Sequence, residues 1–226
     1  MGVDLSVQVL SYGFMFELLP DKNCELCPRL SKFRSENRIK FPDQYNAPVP
    51  SFGPKDAQFL IVGLAPGLKG ANFSGRPFTG DYAGDLLYAT LLEFGFAKGS
   101  YGAHKGDGLE LVNARITNAV KCVPPENKPT GEEIKTCRSF LKTELATMPK
   151  LKVILSLGLI SHNAVVVTAG HKQSAFKFAH GAQHDLGDGV ILIDSYHCSR
   201  YNTNTRRLTS EMFHDVFRLV HEEISV

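Results

Sequence analysis

Four short apolar runs constrain the fold of this chain more than any other feature of its sequence. They occupy residues 58–63, 109–120, 152–158 and 189–196. Near-continuous apolar strands are typical of a sheet that is covered on both faces, and such sheets are mostly parallel because helical crossovers supply the cover. The runs therefore predict a central, mostly parallel four-stranded sheet.

The segments between the apolar runs predict the covering helices. Residues 81–96 and 159–169 place their apolar side chains near helical spacing. Thr130 and Glu133 form the capping-box pattern that opens a helix, and the residues after Thr209 carry an apolar stripe. Strands and helices thus alternate along the chain, which predicts a three-layer α/β/α domain.

Composition excludes several other classes of protein. The chain has 226 residues, of which 43% are hydrophobic and 21% are charged. These are ordinary globular values, and they exclude a disordered, collagen-like or coiled-coil protein. No apolar run approaches the ~20 residues that cross a bilayer, and residues 1–20 lack the basic start of a secretory signal. We expect one domain over residues 1–226 and no membrane partner.

The predicted topology indicates where a ligand would bind. In open parallel sheets, ligands collect at the carboxyl ends of the strands, where backbone amides and helix N-termini converge. The loops at these ends are 65–81 after the first strand, 118–121 after the second and 197–207 after the fourth. We expect the functional side chains in these three loops.

The third of these loops carries local positive charge. The formal net charge of the chain is only +2, so any face for nucleic acid has to be local. Arg200, Arg206 and Arg207 stand among hydroxyl and amide side chains, with no acid in residues 199–209. This pattern suits phosphate contacts, although the segment taken alone fits an ordinary solvated loop better.

The cysteine spacing suggests a metal site. Five cysteines in a chain with no recognisable secretory signal argue against a disulfide framework. Cys24 and Cys27 form a C-x-x-C pair, and Cys122 and Cys137 follow much later. Four thiolates brought together could bind zinc or an iron–sulfur cluster. Spacing does not separate these metals, and unligated buried cysteines remain an alternative. Cys198 stands apart and is interpreted as a packing residue.

Three loop motifs together resemble the uracil-DNA glycosylase superfamily, and specifically its family 5, or type b, branch. The motifs are GLAPG at 63–67 leading to GRPFTGD at 75–81, TNAVKCVPP at 117–125 and HCSRYNTNT at 197–205. With the four spaced cysteines, they extend over nearly the whole chain. A chance match of all these features in this order is very improbable.

The resemblance implies a fold, a cofactor and an activity. It implies an α/β/α domain whose N-terminal arm is tied down by a [4Fe–4S] cluster on Cys24, Cys27, Cys122 and Cys137. It implies a monofunctional DNA repair glycosylase that hydrolyses the N-glycosidic bond of uracil, and of other deaminated bases such as hypoxanthine, in double-stranded DNA. A cytoplasmic, nucleoid-associated monomer is the corresponding expectation.

The resemblance also implies roles for single residues. Phe78 matches the aromatic residue on which the extruded base stacks, Asn118 the amide that reads the base edge, and His197 the donor to the departing base. Leu64 stands where other branches carry a water-activating side chain, so Asp81, an acid implicated in this branch, would place the water. The structural alternatives are a core role for Phe78, a turn cap for Asn118 and a helix N-cap for Asp81.

The remaining motif residues are assigned by resemblance to substrate and to DNA. The substrate-binding set is Ala65, Pro66, Gly67, Ala71 and Asn72. The DNA-binding set is Ser199, Arg200, Thr203, Arg206 and Arg207. Two other functions stay open. One is a module that binds lesions without cutting, because Leu64 removes the usual water activator. The other is a zinc-stabilised metabolic enzyme of unrelated chemistry.

Overall fold

The computed structural model describes residues 19–225, which form alternating strands and helices around a central sheet. In chain order the helices are α1 (Pro28–Lys40), α2 (Ala71–Ser74), α3 (Tyr82–Glu93), α4 (Gly131–Ala146), α5 (Leu159–Thr168), α6 (Arg200–Asn204) and α7 (Ser210–Ser225). The strands are β1 (Phe59–Gly63), β2 (Ala97–Lys98), β3 (Glu110–Leu111), β4 (Ala114–Asn118), β5 (Val153–Leu157), β6 (Gln183–Asp185) and β7 (Ile191–Ser195). The α/β class predicted from the sequence is therefore confirmed.

The central sheet has five strands in the order β4-β1-β5-β7-β6. The first four are parallel, as predicted, and β6 pairs with β7 in the antiparallel direction. The prediction of four strands was wrong because β6 consists of Gln183, His184 and Asp185, which carry no apolar signal. The 109–120 run is also not one strand, since Asn113 adopts φ +51° between β3 and β4.

Two helical layers cover the sheet, and alternate strand residues point into them. Phe59 and Ile61 of β1 pack in one core with α3 and α7. Leu60 and Val62 pack in the other core with α4 and α5. This alternation follows from the two-residue period of a strand, and it explains why every residue of β1 is buried.

The predicted helices begin and end close to the expected residues. In α4 the capping box is present: Glu133 N donates to Thr130 Oγ1 at 3.2 Å, and Thr130 N donates to Glu133 Oε2 at 2.7 Å. α1 was not predicted, because its residues are mostly polar and only Leu30, Arg34 and Asn37 are buried. Across residues 19–225, no helix is long and apolar enough to cross a membrane.

Candidate functional site

A cleft of about 580 Å³ opens at the carboxyl edge of the parallel strands. Phe78, Asp81, Asn118 and His197 all line it. Asn118 ends β4, the other three lie in loops after β1 and β7, and the ends of these strands share one edge because the strands run parallel. The four side chains that sequence reasoning singled out are therefore brought together.

The other predicted residues divide between the cleft wall and its surroundings. Those that line the cleft are Ala65, Gly67, Ala71, Ser199 and Arg200. Those that lie outside the lining are Pro66, Asn72, Thr203, Arg206 and Arg207. Asn72 is buried behind the loop, where its amide donates to Asn46 Oδ1 at 2.8 Å, so its contacts are structural.

Phe78 forms the inner wall of the cleft. Its ring lies against Gly63, where an added Cβ would come within 2.6 Å of Phe78 Cζ. The ring centroid is 6.1 Å from that of His197, with 30° between the planes. The backbone of Phe78 has φ +52°, a left-handed conformation that is uncommon outside glycine. The packing around Phe78 therefore fixes both the position of its ring and its left-handed backbone conformation.

Asn118 presents a buried amide to the cleft. The residue is 3% exposed, and its Oδ1 has no hydrogen-bond partner among the described residues. A Cβ at Gly63 would lie 2.4 Å from this oxygen, so only glycine leaves room for it. An unpartnered buried polar atom costs about 1–3 kcal/mol. The turn-capping alternative is not supported, because no such hydrogen bond forms.

His197 is held as a neutral imidazole. Burial lowers the pKa of its side chain to about 4, because a charged ring would lose its hydration. In the described chain its ring makes no hydrogen bond with another residue, while its backbone carbonyl accepts from Asn202 Nδ2 at 2.8 Å. A neutral ring keeps one N–H as a donor toward the cleft.

Asp81 uses its two carboxylate oxygens differently. Oδ1 accepts from Gly84 N at 3.1 Å and caps α3, so the helix-cap prediction is correct. Oδ2 faces the loop of Gly67 and Gly70, where an added Cβ would lie 3.3 Å and 2.4 Å from it. Burial raises the pKa of Asp81 above its usual value, although the bond from Gly84 opposes this. Because only Oδ1 caps the helix, Oδ2 remains available at the cleft.

The basic segment after β7 contains a short helix where the sequence predicted a loop. Ser199 caps α6 by accepting from Asn202 N at 3.4 Å. The Arg200 guanidinium lies 5.3 Å from the ring centroid of Tyr82, and that of Arg207 lies 4.6 Å from the Tyr196 ring. Aromatic contacts therefore orient both guanidinium groups, of which only that of Arg200 lines the cleft.

Sequence reasoning missed three residues at this edge. Tyr82 and Asn127 line the cleft, and Tyr201 lies on α6 with 72% of its surface exposed. Tyr82 directly follows Asp81, and Tyr201 lies inside the third motif, so proximity to the motifs was the available signal. Asn127 lies beyond the end of the second motif, in a turn where its own φ is +56°, and no residue pattern pointed to it.

The four spaced cysteines surround one small cavity between α1 and α4. Cys24, Cys27, Cys122 and Cys137 all line it, together with Arg34. Within residues 19–225, no three of these sulfur atoms lie within 4.8 Å of one another. Burial raises the pKa of the Cys122 thiol to about 12 and that of Cys137 to about 11. Buried thiolates here would need a positive partner.

Two donors point at these sulfur atoms. Lys121 N donates to Cys137 Sγ at 3.4 Å, and Arg34 Nη1 donates to Cys122 Sγ at 3.7 Å. Arg34 is 3% exposed, and its Nε has no partner in the described chain. Cys198 lies elsewhere, fully buried, and donates to Ala83 O at 3.5 Å; it is the packing residue that the sequence predicted.

A second cluster of titratable groups lies inside the fold. His162 Nδ1 is 2.8 Å from Asp194 Oδ1, and His184 Nε2 is 3.0 Å from Asp194 Oδ2. Ser156 Oγ also donates to Asp194 Oδ1, and His162 Nε2 bonds to Phe176 O at 3.2 Å. Each carboxylate oxygen and both nitrogens of His162 have partners, so this network is complete as a hydrogen-bonded structure.

Comparisons with known proteins agree with this geometry. Residues 50–221 match the family described as "Uracil DNA glycosylase superfamily". The chain is 43% identical over 198 residues to the Type-5 uracil-DNA glycosylase of Thermus thermophilus, with 85% of this chain and 90% of the relative covered. Its identity to the Type-5 enzyme of Pyrobaculum aerophilum is 38%, with 87% of each chain covered. For that of Mycobacterium tuberculosis the identity is 40%, covering 86% of this chain and 76% of the relative.

Proposed function

Because the chain belongs to the uracil-DNA glycosylase superfamily, we propose that it excises uracil from double-stranded DNA by hydrolysing the N-glycosidic bond. The observation that carries this proposal is the convergence of Phe78, Asp81, Asn118 and His197 on one cleft. The names of its relatives support the choice of uracil. The nucleotide must leave the duplex to reach the cleft, which costs a few kcal/mol and is cheapest for mispaired bases.

Recognition of the extruded base falls to Asn118 and Phe78. An amide both donates and accepts, so it matches a pyrimidine edge that presents an N–H beside a carbonyl. The unpartnered Oδ1 of Asn118 supports this role, because the N–H of uracil would satisfy an atom that the protein leaves unpaired. The Phe78 ring offers a flat apolar surface for stacking.

His197 is proposed to stabilise the departing base. Cleavage of the bond leaves negative charge on the base, and a donor aimed at its oxygen lowers the barrier. The ring is neutral at physiological pH because burial lowers its pKa to about 4. It therefore donates a hydrogen bond without having to lose a proton.

Asp81 is proposed to act on the sugar side. Cleavage leaves cationic character on the sugar, which a nearby carboxylate stabilises, and Oδ2 faces the cleft loop where the attacking water would lie. Leu64 lines the same cleft and can neither accept a proton nor orient water. This leucine is the observation that favours the competing function, lesion binding without cleavage. An Asp81→Asn variant separates the two proposals.

We propose a single hydrolytic step and a tolerant pocket. Among the described residues that line the cleft, only Lys69 has a side-chain amine that could attack the sugar and form a Schiff base. Lys69 is exposed to solvent. Borohydride should therefore trap no covalent complex with DNA. Because stacking on the Phe78 ring demands no particular hydrogen-bond pattern from the base, hypoxanthine should be excised as well, more slowly than uracil. A strictly uracil-specific profile would contradict this second point.

We propose that the four cysteines hold a [4Fe–4S] cluster rather than zinc. Zinc bonds of 2.3 Å to four sulfurs require S···S separations of about 3.8 Å, whereas no three of these sulfurs lie within 4.8 Å in the described chain. The buried guanidinium of Arg34, with its free Nε, suits an anionic sulfur-rich group. When bound, the cluster serves as a structural cross-link. Ligation by Cys24, Cys27, Cys122 and Cys137 would tie α1 to the β4–α4 crossover.

Iron and acid-labile sulfide analysis of anaerobically purified protein tests the cofactor. Iron, sulfide and visible absorbance should be present together and should be lost in Cys137→Ser. Stoichiometric zinc without sulfide would contradict the cluster while leaving the proposed activity intact.

The activity is tested on a duplex that contains a single uracil. After incubation, alkali should cleave the strand at the uracil position for the wild type. Asp81→Asn should bind the same duplex while cutting it at least about a hundredfold more slowly. A shifted complex with no alkali-sensitive site in the wild type would favour the lesion-binding module.

A further inference from the structure

The loop that carries Phe78 and Asp81 has a strained backbone. Phe78 has φ +52° and Gly80 has φ +87°. A non-glycine residue in the left-handed region costs about 1–3 kcal/mol, and it persists only where the surrounding structure over-determines it. The first turn of α3 provides part of that constraint: a Cβ at Gly84 would lie 1.8 Å from Phe78 O.

A second constraint comes from a residue outside all three motifs. The Tyr101 hydroxyl donates to Phe78 O at 3.3 Å and accepts from Gly80 N at 3.2 Å. These two backbone groups flank Thr79, and the second lies one residue before Asp81. Tyr101 itself is not part of the cleft lining. One hydroxyl thus joins the backbone on both sides of the strained segment.

The Tyr101 ring is itself fixed by an aromatic brace, which we define as Tyr101, Tyr88, Arg76 and Asp107. The Tyr101 and Tyr88 rings stack with centroids 4.6 Å apart. The Arg76 guanidinium lies 5.8 Å from the first centroid and 5.3 Å from the second. It donates to both oxygens of Asp107, at 2.8 and 2.7 Å. The Tyr88 hydroxyl donates to Pro77 O at 2.6 Å.

The brace is rigid because nearly all of its polar groups are buried and paired. The side chains of Arg76 and Asp107 are only 5% and 2% exposed. Asp107 also accepts from Gly102 N and Leu109 N, at 2.9 and 3.1 Å. Hydrogen bonds from Arg76 hold the pKa of Asp107 well below its usual range. Tyr101 and Asp107 are therefore held in place behind the cleft loop.

From this arrangement we infer that Tyr101 is a positioning residue for the glycosylase reaction. The inference rests on the proposed function of the cleft. Its hydroxyl sets the spacing between the Phe78 ring, on which the base stacks, and the Asp81 carboxylate, which acts on the sugar. Misplacing a reacting group by about 1 Å costs up to about a hundredfold in rate.

The test is Tyr101→Phe, which keeps the ring in its stack and removes only the hydroxyl. With a uracil-containing duplex under single-turnover conditions, the maximal rate should fall about ten- to a hundredfold. The DNA concentration that gives half the maximal rate should change less than twofold, because Tyr101 lines no part of the cleft. The melting temperature should fall by only a few degrees, since one hydrogen-bonded hydroxyl is lost.

Tyr45→Phe is the matched control. The Tyr45 hydroxyl donates to a backbone carbonyl, Pro48 O, at 3.0 Å, and the residue lies outside the cleft lining. This variant should lose similar stability and keep the wild-type rate. Asp107→Asn is a second probe, because it weakens the ion pair with Arg76 that holds the brace. Its maximal rate should fall less than that of Tyr101→Phe, and the DNA concentration that gives half the maximal rate should not change.

Three outcomes would overturn the inference. They are a wild-type rate in Tyr101→Phe, an equal rate loss in Tyr45→Phe, or a change confined to half-saturation. Failure of the wild type to excise uracil in the same assay would instead refute the proposed function, so the two failures are distinguishable.

Discussion

His162 and His197 both lie near the ends of the parallel strands, but His162 is fully buried, His197 is half-buried, and their surroundings differ. Both ring nitrogens of His162 bond to acceptors, Asp194 Oδ1 and Phe176 O. Burial opposes its charge, but the hydrogen bond and charge of Asp194 outweigh burial and raise the pKa of His162. The ring of His197 has no such partner in the described chain, and burial lowers its pKa to about 4.

The comparison teaches how to separate a structural polar group from a functional one in this fold. Structural polar groups in the His162 network and in the aromatic brace have partners. In the described part of the cleft, the buried Asn118 Oδ1 has no hydrogen-bond partner, and the half-buried His197 ring makes no hydrogen bond to another residue. Since native proteins pair nearly all buried polar atoms, unpaired ones gathered in a cleft indicate a ligand. Each prediction below tests one side of this contrast.

The largest effect is expected for the cleft side chains that have no hydrogen-bond partner in the described chain. His197→Ala should lower the single-turnover rate of uracil excision about 10²- to 10³-fold, as expected when a donor to developing negative charge is removed. Stability should stay close to that of the wild type, because no hydrogen bond of the ring is lost. Melting temperature and excision rate, measured on the same samples, check both parts. A rate within a few-fold of the wild type would remove His197 from the reaction.

Substitutions among the polar groups that have hydrogen-bond partners should change stability rather than the excision rate. Asp194→Asn removes the charge that supports His162, and it should lower the free energy of unfolding by about 1–3 kcal/mol. Urea denaturation followed by circular dichroism measures this change. The excision rate per folded molecule should remain that of the wild type, and a parallel loss of rate would mean that the network also serves catalysis.

The two histidines should give stability opposite dependences on pH. For His162 the folded pKa is raised, so its contribution is present below its unfolded pKa of about 6.5 and is lost as pH rises through the folded pKa. For His197 the folded pKa is about 4. The unfolded chain therefore takes up a proton first as pH falls below about 6.5, which destabilises the folded state.

Chemical denaturation across pH, with His162→Gln and His197→Gln compared with the wild type, isolates these contributions. The wild type should lose its advantage over His162→Gln at high pH, and it should lose stability relative to His197→Gln at low pH. Parallel curves for all three proteins would contradict the assignment of protonation states.

The smallest effect is expected in the basic segment after β7. Arg206→Ala combined with Arg207→Ala should weaken duplex binding and reduce the slope of log K against log salt by about 1.8, since each phosphate contact contributes about 0.9. Titration of a fluorescent duplex at several salt concentrations measures the slope. Lys150→Ala with Lys172→Ala is a matched control, because both lysines are exposed outside the three motif loops. An unchanged slope in the arginine variant would remove these residues from the interface.

Sequence reasoning located the four parallel strands, four of the helices and the four side chains that meet in the cleft. The capping box of Thr130 and Glu133 was predictable because both residues lie within one turn. β6 was missed because its three polar residues depend on pairing with β7. α1 was missed because it has few buried side chains and one of them is Arg34, a residue type whose burial depends on tertiary contacts such as that with Cys122.

By itself, the sequence determined the alternation of strands and helices and the placement of its motifs at the ends of strands, because these patterns repeat over a few residues. Only the tertiary structure decided which polar atoms stay unpaired and which backbone segment is strained. Asn118 Oδ1 lacks a partner, and Tyr101 bridges Phe78 and Gly80, through contacts between segments far apart in the chain. Burial and hydrogen bonding depend on all neighbours in space, so a local pattern does not encode them.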